Sequence, residues 1–297
     1  MKRNMVSYGI TAFIDILGFS EKVLSAKTYE DINEIQLLLE KIQKEFDFKT
    51  KDSSIKDVQK LYKKKVLAFS DCVVINIPLK SNATKYDGTF DPLMIELSNF
   101  AIAQGSCVQN GLFLRGGIDL GWWFQSRTSL ISKSLVSAYK IEKLAKMPII
   151  ALSKGFYNFL SKHKHRDYYC NELDPVKDLF KKYKSIKNGI EVWYLDYISI
   201  CLDSLDWRLS ERQVEEHRNA TPDKKTKIER NGYRKNTDNW LIKHAQKIEE
   251  SYVNSPDNNV CEKYSWLSKY HNRMVNGYSK NPKCKCSLAR ARKKKNS

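Results

Sequence analysis

Residues 8 to 16 read "YGITAFIDI", an apolar run with the β-branched and aromatic bias of a strand, interrupted by one carboxylate, Asp15. From Glu21 to Phe46 the period changes: Val23, Leu24, Ile32, Ile35, Leu38, Leu39, Ile42 and Phe46 recur mostly at helical spacing, which predicts a long amphipathic helix. A lysine-rich polar stretch covers 49–65. "VLAFSDCVVINIP" at 66–78 then presents two apolar runs meeting at Ser70 and Asp71, a hairpin with a carboxylate at its tip. Asp91 as cap, Pro92 at the first helical position and Gly111 as stop bound a second predicted helix. "LFLRGGIDLGWWF" at 112–124 predicts a pair of strands, and 132–146 a further amphipathic helix. Beyond Pro148 the pattern thins to a strand at 190–198, a polar stretch at 203–236 and helices near 237–252 and 259–275.

Strands interleaved with helices and crossed by one hairpin predict an α+β fold, an antiparallel sheet backed by helices. In such a sheet Asp15, ending one strand, and Asp71, at the tip of the neighbouring hairpin, converge on one edge. Two carboxylates so placed can hold two divalent cations about 3.5 to 4 Å apart, one activating an attacking oxygen and the other a triphosphate. The same residues also suit a strand-end aspartate bonded to backbone amides and an ordinary turn aspartate. The pattern alone leaves both open.

Composition changes this picture in a few places. The net charge is +18, but the last 15 residues, "KCKCSLARARKKKNS", hold seven basic residues and no acidic one, and read as a solvated, disordered tail. The dispersed remainder suits any polyanion, a nucleoside triphosphate as well as RNA. Asp15 breaks the only apolar stretch near the start, and no run elsewhere is long enough to span a bilayer, so neither a secretory signal nor membrane insertion is expected. Seven scattered cysteines without a paired Cys-x-x-Cys spacing fit a reducing cytoplasm, and Cys284 with Cys286 lacks the partners of a zinc site.

Four segments carry a resemblance. "FIDILGFSEKV" resembles the first metal motif of the class III nucleotidyl cyclases, with Asp15, Gly18, Phe19 and Ser20 matching. "AFSDCVV" is similar to their second metal hairpin, with Asp71 as the metal aspartate. "LRGGIDLG" resembles their arginine-glycine strand, and "SLVSAYKIEKL" falls where they carry a helix with an asparagine and an arginine. Val136 and Lys140 stand at those two helix positions, and Leu67 and Ser129 stand where adenylyl cyclases read adenine. With "RGGI", "AYKIE" and the late "KYSWLSKYHN", this departure is most similar to the pyrimidine cyclases of the bacterial Pycsar anti-phage system.

The resemblance implies a ferredoxin-like βαββαβ catalytic core over 1–200, a helical extension packed on it over 201–282 and the basic tail at 283–297. It implies two Mg²⁺ or Mn²⁺ ions on Asp15, Asp71 and the Ile16 carbonyl. Arg115, with Phe19 and Ser20, would contact the substrate phosphates, and Lys140 of a partner copy would neutralise charge at the α-phosphate. The implied protein is a cytoplasmic homodimer that turns UTP, ahead of CTP, into a 3′,5′-cyclic nucleotide sensed by a separate effector, with no stable nucleic-acid partner. Two alternatives stand beside it: a basic α+β nucleic-acid-binding module, and a cyclase fold that has lost catalysis.

Overall fold

The computed structural model describes residues 6–47, 64–69, 72–126, 128–184, 189–255 and 258–295. The chain divides into two compact units, Met1–Cys107 with Leu112–Tyr197, and Val108–Gly111 with Ile198–Ser297.

In the first unit β1 (Ser7–Ile16) leads into α1 (Phe19–Ser25) and α2 (Tyr29–Asp47), followed by β2 (Lys65–Phe69) and β3 (Cys72–Pro78). Next come α3 (Asn82–Asp87), α4 (Phe90–Gln109), β4 (Leu114–Gln125), β5 (Leu130–Ser132) and α5 (Lys133–Ala145). β6 (Ile150–Leu152), α6 (Lys154–Ser161), α7 (Pro175–Leu179), β7 (Phe180–Lys184) and β8 (Glu191–Leu195) complete it. The eight strands form one sheet in the order β2-β3-β1-β4-β6-β8-β7, with β5 on β4. Every pairing is antiparallel except β4 with β6. Within it, β3 lies between β1 and β2, and β1 between β3 and β4, which is the interlocked split βαβ arrangement of a ferredoxin-like core. The α+β expectation is met.

Strand alternation assigns the two faces of β1. Ile10, Ala12 and Ile14 point to one and are fully buried; Thr11, Phe13 and Asp15 point to the other, where α5 lies. Thr11 Oγ1 and Ser134 Oγ are 2.7 Å apart, and Phe13 meets Tyr139 edge-to-face at 5.3 Å between ring centres. Glycine sets the spacing. A Cβ on Gly117 of β4 would sit 2.0 Å from the Ala138 carbonyl oxygen, so α5 can rest on the sheet only where that side chain is missing. Hence "RGG" belongs to one continuous twelve-residue strand, not to the expected pair of strands.

The expected helix over 21–46 is two helices. Thr28 and Asp31 restart it reciprocally: the Asp31 carboxylate accepts from the Lys27 and Thr28 amides at 2.8 and 2.9 Å, and Thr28 Oγ1 accepts from the Asp31 amide at 3.1 Å. Asp91 lies inside α4, not at its cap, and accepts from the Tyr169 hydroxyl at 2.8 Å.

The second unit contains α8 (Tyr197–Asp203), α9 (Glu211–Arg218), α10 (Pro222–Asn254), α11 (Asn258–Tyr278) and α12 (Leu288–Lys295). The polar stretch 203–236 is thus largely helical. In its part of α10 only Ile228 and Gly232 are buried, which leaves no apolar stripe to betray the helix. Within the tail expected to be disordered at 283–297, the described residues form the end of a 3₁₀ turn (Pro282–Cys284) and α12. They are held by Asn272, whose side chain donates to the Cys286 carbonyl and accepts from the Cys286 amide, each at 2.9 Å. Cys284 and Cys286 are buried, and among the described residues no metal-binding cluster forms around them.

His244 and His271 meet in the core of this unit, both fully buried, with their Nδ1 atoms 2.9 Å apart. The Cys284 carbonyl lies 2.7 Å from His271 Nε2 and can only accept, so His271 carries its one proton there and its Nδ1 accepts a hydrogen bond from His244 Nδ1–H. Burial holds both rings neutral, pushing His271 down to about 4 and His244 well below its ordinary value. In the unfolded chain both take a proton below about pH 6.5, so the unfolded state binds more protons between there and about 4. Stability therefore falls as pH falls across that window, by about 3 kcal/mol for His271 alone at its lower end. Thermal unfolding of the whole chain at pH 7 and pH 5 is expected to show the drop, and His271→Gln to flatten it; a midpoint insensitive to pH would contradict the buried neutral pair.

Candidate active site

Asp15 and Arg115 are direct cross-strand partners on β1 and β4, at the end of β1 that leads into α1. Arg115 Nε donates to Asp15 Oδ2 at 2.5 Å and lies 2.8 Å from Glu142 Oε1 of α5. The three side chains are mostly buried, with exposures of 11%, 21% and 0% for Asp15, Arg115 and Glu142. Two carboxylates thus approach one guanidinium at the same nitrogen, with the N–H hydrogen bond going to Asp15 and Glu142 placed as an ion-pair neighbour. Among the described residues none accepts from the Nη groups of Arg115, and none bonds Oδ1 of Asp15. Lys143 Nζ of α5 lies 3.8 Å from Glu142 Oε2, so two cations face the two carboxylates, and among the described residues the outer fork of Arg115 is left clear.

The other sequence-based candidates fall into three groups. Ile16, next to Asp15, is a buried strand residue opposite Leu114, so its main chain stands at the same strand end. Asp71 and Ser70 lie outside the described residues; Cys72, which follows them, is the register partner of Asp15 on β3. Phe19 and Ser20 open α1 after Gly18, which adopts φ 77°. Phe19 is 1% exposed, so its side chain is core and only its backbone N–H can serve a ligand, whereas Ser20 is exposed.

Lys140 is exposed and is not brought to Asp15 and Arg115 of its own chain. The buried stripe of α5 is Ser134, Ala138, Ile141, Glu142 and Ala145; Val136, Tyr139, Lys140 and Leu144 line its outer side. Of the two tryptophans in β4, Trp123 is core and Trp122 is partly exposed opposite Tyr8. Glu142 is the residue that sequence reasoning passed over. It stands in "AYKIE", and the available signal was a carboxylate on the buried stripe of a helix, which requires a cationic partner.

No protein-family model and no curated protein matches the sequence. Among solved structures the chain is similar to a bacterial light-regulated adenylyl cyclase, at 16% identity and TM-score 0.37, over 65% of this chain and 92% of that one. It is also similar to the monomeric guanylyl cyclase domain of the RhoGC fusion protein from the aquatic fungus Blastocladiella emersonii, at 17% identity and TM-score 0.41, over 65% and 96%. A third is the catalytic core of a rhodopsin-guanylyl cyclase with converted specificity in complex with ATPαS, at 16% identity and TM-score 0.39, over 64% and 96%. Among the described residues no helix is long and apolar enough to cross a membrane.

Proposed function

We propose that the chain is a nucleotidyl cyclase that converts a pyrimidine nucleoside triphosphate, UTP ahead of CTP, into the 3′,5′-cyclic nucleotide and pyrophosphate. The observation that carries the reading is the Asp15–Arg115 pair: a carboxylate with a free oxygen beside a guanidinium with a free fork, at adjacent strand ends of a ferredoxin-like sheet. Carboxylate and carbonyl oxygens are the donors that Mg²⁺ and Mn²⁺ prefer. The residues therefore fit two such ions on Asp15, Asp71 and the Ile16 carbonyl. Bound there, they supply a lowered pKa for the ribose 3′-hydroxyl and charge neutralisation on the triphosphate.

The chain's own groups do the rest. The fork of Arg115 takes paired oxygens of the β- and γ-phosphates, the geometry in which a guanidinium binds best. The Phe19 N–H and the Ser20 hydroxyl complete the phosphate cradle. Lys140, on the outer side of α5, serves the site of a partner copy in a homodimer and neutralises charge growing on the α-phosphate. Exposed Val136 and Tyr139 on that same side support a dimer contact there. Leu67 and Ser129, at the positions where adenylyl cyclases read adenine, support a pyrimidine. In this reading the product is a cytoplasmic second messenger of anti-phage defence, received by a separate effector.

Substrate choice is tested by pyrophosphate release from ATP, GTP, CTP and UTP with Mn²⁺. UTP or CTP is expected to exceed both purines by at least about tenfold, the low end of the discrimination that a difference in pocket size supplies. Equal release from all four, or preference for a purine, would contradict the pyrimidine assignment.

A further inference from the structure

We propose that Glu142 is the positioning residue for Arg115: it keeps hold of Nε once Asp15 is committed to a cation, so that the Nη fork stays aimed at phosphate. This rests on the reading of the site just given. Asp15 and Glu142 approach the same Nε, at 2.5 and 2.8 Å, and differ in everything else. Asp15 stands at the strand end with 11% of its side chain exposed and, among the described residues, an oxygen to spare; Glu142 is fully enclosed, and its second oxygen lies 3.8 Å from Lys143 Nζ. A cation on Asp15 is a like charge to Arg115 and competes with it for the same carboxylate. An arginine paired with Asp15 alone would either block the cation or be driven off the site. The second carboxylate removes that conflict.

Packing fixes the distance. The absent Cβ of Gly117, which would lie 3.0 Å from the Glu142 amide nitrogen, lets α5 carry this carboxylate down to the strand that holds Arg115. A guanidinium held by Nε keeps both Nη groups for a bidentate contact, and a lysine at this position has no equivalent second end.

The test is Glu142→Gln, which keeps volume and an acceptor but removes the charge. Mn²⁺ binding without nucleotide, followed by electron paramagnetic resonance, is expected to weaken about tenfold, because Arg115 is then paired with Asp15 alone. KM for the nucleotide is expected to rise about tenfold with kcat changed less than about threefold. In an Arg115→Met background the substitution should leave Mn²⁺ affinity unchanged, since its route is gone. Mn²⁺ affinity and KM that stay within about twofold, or an equal loss in the Arg115→Met background, would overturn the proposal. If the variant does not fold, the wild-type protein decides: the Arg115 Nε–H resonance should remain slow to exchange with solvent when Mg²⁺ is added, and fast exchange would overturn the tether. Mn²⁺ bound by wild type but not by Asp15→Asn, with no cyclic product from any nucleotide, would overturn the proposed function while these readouts still decide the role of Glu142. A wild type that binds no Mn²⁺ would overturn both.

Discussion

Asp15→Asn is expected to lower turnover about a thousandfold while leaving the protein folded. An amide retains an acceptor for Arg115 Nε but not the charge that holds a divalent cation, and the several kcal/mol of transition-state stabilisation carried by a metal amount to about three powers of ten in rate. Stability should change little, by about 1 kcal/mol, because Arg115 keeps Glu142 as its ionic partner, 2.8 Å away. The check is kcat alongside the thermal midpoint. Near-wild-type turnover in a folded Asp15→Asn variant would remove Asp15 from the chemistry; a collapse of stability equal to the loss of activity would make it a structural residue.

Gly117→Ala is the second large effect, and it acts on folding. Its new Cβ would stand 2.0 Å from the Ala138 carbonyl oxygen and 2.9 Å from the carbonyl carbon, both backbone atoms that no rotamer change can move aside. Helix α5 must lift from β4, and overpacking of this kind costs about 3 kcal/mol. The same displacement draws Glu142 away from Arg115, so activity should fall further than the unfolded fraction explains. Gly277 provides the contrast: it lies in α11 with nothing within 4 Å of a Cβ, so Gly277→Ala should stabilise by up to about 1 kcal/mol through helix propensity. Chemical denaturation of the two variants measures both signs. An unperturbed Gly117→Ala would contradict the close seating of α5.

Much of the first unit was legible because its periods are clean. The apolar run of β1, the hairpin and the helices now seen as α4 and α5 all announce themselves, and their order suffices for an antiparallel sheet backed by helices, whereas the ferredoxin-like core was implied by the resemblance. What escaped was decided by particular contacts. The Thr28–Asp31 caps divide α1 from α2, a signal present in "TYED" but outweighed by the helical spacing around it. The run at 112–124 reads as a pair of strands until Ala138 is placed over Gly117 of one continuous strand. β6, three residues long, carries no pattern of its own and owes its place to pairing with β4 and β8. The basic tail was judged by charge, whereas Asn272 and buried Cys284 and Cys286 determine its conformation.

For the site, Asp15 and Arg115 could be named from motifs, but that they face each other depends on strand register. A slip of one residue would send them to opposite faces of the sheet. Glu142 could not be assigned a partner before α5 was seated. Asp71 lies outside the described residues, so its metal role rests on the hairpin pattern and on the resemblance of "AFSDCVV".

The most direct test of the account is the identity of what the protein makes from UTP and CTP. Purified protein with Mn²⁺ and each triphosphate, beside Asp15→Asn, should yield the 3′,5′-cyclic monophosphate and an equimolar amount of pyrophosphate by mass spectrometry and phosphate-specific assay, with neither product in the variant. Linear monophosphate with pyrophosphate, diphosphate with inorganic phosphate, or a cyclic product that persists in the variant would contradict cyclisation at this pair of residues.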